Sequence, residues 1–597
     1  MNLKRASTLI RVLFLISGLI GIFLGSVSAT SATSWEMFNC DARSKNALKS
    51  VVIDGSAYDV VIYGGSPAGV AAARSAAELG KSVLLLSESG LFGGAISNGV
   101  SATDLGYIGA NVGFAETYLD DVSRYYHDDL HRTEPKVAEC IFLNWMKSKK
   151  ITLGTYTNLE NALVIKQKIK QITFHNTAIP EVKITVQGKT FIDASYAGDL
   201  MFSSGTKTRL GMADFFSYGE KTTQDRGYKV LFELKDKDKI AQAESDFAQL
   251  PQVNFRDDLT NYSSDILSGM PSFTYRLCVT KNSKNKLAFS KTADYETFAP
   301  AWRTYMTYMK YYVVYKSKTE VTELPTGTLL TPLWRAAKIP KDKFDLNAHF
   351  SSFTNLTMSK DYFDHPESRQ SLLARYTSYL QSFLYFIQHD DSVPAIERNG
   401  LSGFGLCADE FKSTNGWPQM PYLREGRRLI GKTTVTASDL SINRTKTDSV
   451  AVGSYVLDSK PTLFVFAKGT FARDRGQMYR APIYEIPFSA MLPKTGPRNL
   501  VVALGISASP SAFSSIRMEP QFIQLGQAAG IAAALASGQN GIFKGSLAPA
   551  IRAKLSLAKG FNGITSICKE MEINARIYWG FDSVTCEPRA VELVLAH

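Results

Sequence analysis

The stretch from Tyr58 to Glu88 constrains the fold more than any other part of the chain. Asp59-Val60-Val61-Ile62-Tyr63 is a short apolar run, suited to a strand covered on both faces in a parallel sheet. Gly64-Gly65-Ser66-Pro67-Ala68-Gly69 follows as a tight turn. The alanine-rich segment Val70–Leu79 then reads as a helix that stops at Gly80. Ser82-Val83-Leu84-Leu85-Leu86 is a second buried strand, with Glu88 just beyond its end. Together these form one βαβ unit. In such a unit, glycines let the backbone turn sharply and approach a pyrophosphate that lies on the helix N-terminus. Gly64 and Gly69 take the first and third glycine places, but Ser66 holds the second, so the strict pattern is broken. Glu88 follows Gly64 by 24 residues and stands where a carboxylate accepts ribose hydroxyls. The ordered set predicts dinucleotide binding; the alternative is an ordinary strand-to-helix turn, because glycine spacing alone is a weak signal.

The βα signature returns near the other end of the chain. Asn499–Leu504 reads as a strand and Pro520–Ala536 as a helix rich in glycine and alanine. Between the two βα regions, about Met201–Leu440, lie aromatic-rich helical stretches such as Tyr376–His389, joined by polar connections. A sheet begun at one end and completed at the other implies an insertion. The 597 residues are 45% hydrophobic and 20% charged, which excludes a disordered or fibrous chain. The formal charge of +12 comes from both signs spread along the sequence, so no nucleic-acid partner is expected.

The N-terminus reads as a targeting segment. Lys4, Arg5 and Arg11 precede an uncharged run of 16 residues, Val12–Val27. Val27-Ser28-Ala29 or Thr30-Ser31-Ala32 offers small residues for cleavage. The run falls short of the roughly 20 residues a spanning helix needs. Residues 1–32 are therefore expected to be a secretory signal, and the protein to be secreted or periplasmic. Membrane attachment is expected only through an uncleaved signal. Six cysteines follow it: Cys40, Cys140, Cys278, Cys407, Cys568 and Cys586. None has metal-ligand spacing, so no metal is expected. In an exported chain they can pair, with Cys568–Cys586 in the tail the first choice; six buried free thiols are the alternative.

Several motifs carry a resemblance. YGGSPAGVAAARSAAELGKSVLLLSE, followed by FGGAISNGVSATDLG, resembles the FAD-dependent oxidoreductases of the glutathione-reductase-like superfamily. The nearest group is distantly related to the fumarate reductase and succinate dehydrogenase flavoprotein subunits. Phe191–Leu200 is similar to a second FAD motif usually closer to DATGxGDL. Tyr275–Thr280, Tyr422–Gly431 and Ser515–Gly530 extend the likeness, which spans roughly residues 58–540.

The resemblance implies an α/β fold: a Rossmann-like, three-layer FAD-binding domain with an inserted α+β substrate domain. Residues 50–200 plus 480–540 would form the FAD-binding domain, 201–479 the substrate or cap domain, and 541–597 a C-terminal tail. The cofactor would be FAD, held without a covalent link. Gly64, Gly65, Ser66, Pro67, Ala68, Gly69, Glu88, Gly93, Gly94, Ser97, Asp199, Glu519 and Gln527 would bind it. Backbone amides around Gly93 and Gly94 would face the flavin, and the helix starting near Pro520 would aim its positive end at it. Arg427, Arg517 and Lys460 are the candidate catalytic residues. If helical, Arg424 and Arg428 share a face, with Arg427 beside Arg424, as an anion clamp or as internal salt bridges. His127 and His131, also i,i+4, read as a solvated helix face.

Two departures stand out. Lys460 and Pro510 occupy positions where the group commonly carries histidine, the usual acid or base near neutral pH. Lys460 reads either as a base with a pKa lowered by burial or as a surface lysine. The expected activity is hydride or electron transfer between bound flavin and a small-molecule substrate. A redox partner, quinone or dioxygen would take or give the other electrons. The alternatives are a flavin-binding protein without catalysis, and a carbohydrate-active, lyase-like secreted protein.

Overall fold

A computed structural model describes residues 52–557, apart from 53, 129–130, 221–225, 271, 310–321, 325–326, 349–355, 358 and 442–443. The expected signal, Cys40, Cys568 and Cys586 lie outside the described residues. The chain folds as α/β around a seven-stranded sheet. Strands β1 (Ala57–Tyr63), β2 (Val83–Leu86), β3 (Ile151–Gly154), β4 (Thr157–Ile165), β5 (Lys168–Asn176) and β6 (Ile179–Asp193) lie in the order β3-β2-β1-β6-β5-β4. The seventh, β7 (Leu500–Val502), returns from the far end of the chain and pairs parallel with β6. The parallel register sets Tyr63 beside Leu86 and Asp193, and Asp193 beside Val502. The C-terminal ends of four strands therefore open at one level, where ligands of doubly wound sheets bind.

Local chemistry explains the first crossover. Val60, Val61, Ile62 and Leu84–Leu86 are fully buried, as the unbroken apolar runs require. Helix α1 (Pro67–Glu78) starts three residues earlier than the alanine pattern suggests. Ser66 is its N-cap: the hydroxyl oxygen accepts the Gly69 N–H at 3.2 Å, and Pro67 takes the first helical position.

Helix α2 (Arg369–His389) belongs to the inserted region. Its Tyr379, Phe383 and Phe386 pack on Trp302 of the helix Tyr295–Tyr308. A second seven-stranded sheet, built between Leu277 and Cys407, completes this layer. Two of its adjacent antiparallel strands, Leu277–Thr280 and Gly405–Cys407, are joined by the disulfide Cys278–Cys407, with Cα atoms 5.6 Å apart. Cys140 is disulfide-bonded as well. Free thiols throughout are thereby ruled out. Helix α3 (Glu519–Ser537) is buried along almost its whole length. It lies on α1 so closely that Gly526 leaves no room for a Cβ against the Ala68 backbone, nor Gly530 against Ala72.

Two sequence expectations are corrected. Arg427–Leu429 is a β-strand paired with Thr208–Leu210, so the three arginines do not share a helix face. A partner strand far away in sequence supplies the hydrogen bonds that a local helix would have made. His127 and His131 are not on a helix face either. His127 caps the helix Phe114–Tyr126 in a left-handed conformation, and His131 also has positive φ.

Candidate functional site

The strand ends and the turn after β1 define the site. Gly64 has φ +116° and abuts the Ala194 backbone, so only glycine is accommodated there. The Ser66 hydroxyl donates to the Ala194 carbonyl at 2.7 Å as well as capping α1. It is thus turned into the protein, away from any ligand on the helix end. Gly65 uses its carbonyl to receive the N–H groups of Gly93 and Gly94, at 2.8 and 3.1 Å. Its own N–H donates to Glu88 Oε2 at 3.3 Å.

Glu88 lines a cavity of about 850 Å³ with Tyr63, Asp199, Arg369, Tyr196 and Leu423, among others. Burial and the nearby Asp199 push the Glu88 carboxyl up to about 7, against the pull of the Gly65 N–H and Arg369. Asp199 opens a short helix, and Arg369 holds it bidentately from the start of α2, at 2.9 and 2.6 Å. The cavity is therefore walled by the sheet on one side and by the inserted region on the other. Nothing in the sequence singles out Arg369; only the fold of α2 brings it to Asp199.

Beyond Tyr196 lies the start of α3. The Tyr196 hydroxyl receives the Ala95 N–H at 2.9 Å and donates to both Glu519 carboxylate oxygens at 3.0 Å. Burial raises the Glu519 carboxyl to about 8. The amides of Gly93, Gly94 and Ala95 are thus all paired within the protein. Ser97 is buried, with its hydroxyl unpartnered. Gln527 lies deeper along α3, where its Oε1 accepts the Phe114 N–H at 2.9 Å and so ties α3 to the helix Phe114–Tyr126.

Of the catalytic candidates, two come together. Arg517 is buried; it donates to the Tyr422 hydroxyl at 2.8 Å and to the Asp458 carbonyl at 2.9 Å. Lys460 pairs with Asp458 at 2.9 Å. Burial lowers the Lys460 pKa. Burial also pushes the Asp458 carboxyl up, but Lys460 and Arg517 outweigh it and hold the group below the usual range. Lys460 is therefore not a free surface lysine. Arg427 lies elsewhere: it pairs with Asp364 at 2.6 Å and packs over the Phe202 ring. Arg428 is buried, bound to Asp214 at 2.7 Å and to the Gly211 and Ala508 carbonyls. Pro510, where histidine is common, takes the first position of the helix Pro510–Ile516, capped by Ser509. Tyr196 and Tyr422 sit inside segments recognisable in the sequence, but their roles depend on partners that only the fold supplies.

A family model described as FAD dependent oxidoreductase matches residues 59–548. No curated protein matches the chain in sequence. Among solved structures, the flavin-dependent brominase Bmp2 matches at 10% identity, over 84% of this chain and 84% of that one, with a TM-score of 0.31. A variant of E. coli quinol fumarate reductase matches at 9% identity, over 85% and 74%, with a TM-score of 0.31. L-proline dehydrogenase from P. horikoshii matches at 17% identity with a TM-score of 0.18; the matched part is 28% of this chain and 26% of that one.

Proposed function

The chain belongs to the FAD-dependent oxidoreductase family, and from that premise we propose an exported enzyme that transfers hydride or electrons between bound FAD and a small-molecule substrate. FAD is its cofactor. The residues fit it. The Gly64–Gly69 turn joins β1 directly to the N-terminus of α1, and the Glu88 carboxylate stands just beyond the end of β2 on the large cavity. The single observation that carries the reading is Glu88, which lines the cavity just beyond the end of β2 and accepts the N–H of Gly65 from the turn after β1.

When bound, FAD supplies the redox chemistry. The chain's own residues hold and shield it. Glu88 would accept hydrogen bonds from ribose hydroxyls and the α1 end would hold the diphosphate, while Arg369, anchored by Asp199, lines the cavity from the inserted region. The Arg517–Asp458–Lys460 group lies beyond the start of α3 and holds fixed charge there. With histidine absent from both expected positions, Lys460 is the group proposed to hold or release a proton there. A quinone, dioxygen or a partner protein is proposed as the second redox party.

The disulfide Cys278–Cys407 supports export, since such bonds persist in oxidising compartments. No helix of the described residues is long and apolar enough to cross a membrane. The test is anaerobic mixing of FAD-loaded protein with a broad panel of organic acids, alcohols, amines and sugars. Bleaching of the visible flavin band by at least one compound is expected. A band that no compound bleaches, though dithionite does, would replace the enzyme with a flavin-binding protein.

A further inference from the structure

Of the three arginines in Tyr422–Gly431, two have carboxylate partners and one does not. Arg427 is paired with Asp364, and Arg428 with Asp214. Arg424 is 5% exposed, yet no carboxylate lies within ion-pair distance of it among the described residues. Its Nη1 donates to the Ser272 carbonyl at 2.9 Å, and its guanidinium lies over the Tyr422 ring at 5.1 Å. A buried cation without a counter-charge is costly unless something compensates it.

The neighbourhood compensates only in part, through Tyr422 and Asp458. Arg276 is spoken for by a bidentate pair with Asp345. Asp458 is shared between Lys460 and Arg517. Glu425 is the next residue; burial raises its carboxyl, and the cations that act on it are Arg428, Arg517 and Arg226 rather than Arg424. Burial, with repulsion from Arg517 and Arg276, brings the Arg424 pKa down to about 10 against the attraction of Tyr422 and Asp458. Asp104 also faces Arg276 and Tyr422, but of the four cations Arg276, Arg424, Lys460 and Arg517, only Arg424 has no carboxylate at ion-pair distance among the described residues. The cluster also borders the start of α3: Arg517, bonded to Tyr422, stands two residues before Glu519, which Tyr196 bonds.

We propose that Arg424 is a substrate-binding residue that takes the carboxylate of a small organic acid, so that the substrate completes the charge balance of the Arg276–Arg424–Lys460–Arg517 cluster. The planar guanidinium fork matches a carboxylate in bidentate geometry. Arg517 and Lys460, already shared with Asp458, keep the carboxylate end beside the start of α3. The inference deepens the oxidoreductase reading and rests on it for the word substrate; the anion site itself does not require flavin.

The test titrates FAD-loaded protein with acetate, oxalate and sulfate at constant ionic strength, reading the flavin difference spectrum and calorimetric heat together. Saturable binding of acetate or oxalate is expected, weakened about 10–100-fold in Arg424→Met, as for loss of a charge-assisted hydrogen bond. Arg424→Lys keeps the charge but not the fork and should lie between. Both variants should retain FAD as the wild type does, which reports that they fold. Carboxylate binding that is absent from the wild type, unchanged in Arg424→Met, or matched by sulfate would overturn the proposal. If the chain held no FAD, the oxidoreductase reading would fail separately. Calorimetry on the same chain would still decide the anion site, with acetate or oxalate heat supporting it and no heat overturning it.

Discussion

At the scale of single residues, the site turns on Glu88. Its carboxyl is raised to about 7 by burial and by Asp199, so in the cofactor-free chain it is largely protonated below that value. A ribose hydroxyl bonds best to the ionised form, so FAD binding selects it. The sign follows: affinity for FAD should rise as pH increases through about 7, by up to about tenfold per pH unit below it, and level off above. Replacing Glu88 by Gln should remove that dependence and weaken binding about 10–100-fold at high pH, as loss of a charged hydrogen bond does. Flavin fluorescence titrations of apoprotein across pH would check both. A flat profile in the wild type would remove Glu88 from the site. Ser66 shows the limit of motif reading at this scale. Its serine broke the glycine pattern in sequence; in the fold the hydroxyl caps α1 and bonds Ala194, a role that leaves the ligand side clear.

At the scale of elements, the crossover of α3 over α1 sets the height of the turn that carries Gly64–Gly69. Gly526 meets the Ala68 backbone, and Ala68 is the second residue of α1. Gly526→Ala would press on backbone at the proposed diphosphate end. Overpacking of this kind costs about 1–3 kcal/mol. The variant should therefore melt several degrees lower and release FAD more readily, whereas Gly538→Ala, at the exposed far end of α3, should do neither. Thermal melts with and without added FAD would check this. The first βαβ unit was legible because every interaction that defines it is local: an apolar run, a cap, alanines, a second apolar run. Leu500–Val502 was legible as a strand from its own apolar run, although its partner Phe191–Asp193 is distant in sequence. Arg427–Leu429 was not, because its strand character comes from Thr208–Leu210. Arg369 was invisible because only the placement of α2 carries it to Asp199.

At the scale of the molecule, the first sheet and the inserted region meet across the cavity, and the inserted region has a stabilising device of its own. The inserted region carries Cys278–Cys407, which closes a loop spanning a sequence separation of 129. Replacing both cysteines by alanine should cost about 2–4 kcal/mol of stability. It should leave the flavin band of the folded protein in place, because neither cysteine borders the cavity. Denaturant melts read by fluorescence, beside absorbance spectra, would separate the two effects. An α/β sheet shared between the two ends of the chain was legible from the two distant βα signatures. The charge arrangement inside the fold was not. Which buried arginine lacks a partner is a property of the whole fold, and the sequence window Tyr422–Gly431 shows three alike.

The measurement that bears most directly on the account is the absorbance spectrum of the purified protein, before and after incubation with FAD and gel filtration. The account predicts the two visible flavin bands travelling with the protein, and their release into the supernatant when it is denatured by acid. Protein that emerges colourless after saturation with FAD, while still folded by circular dichroism, would contradict the assignment of Glu88 and the Gly64–Gly69 turn to cofactor binding.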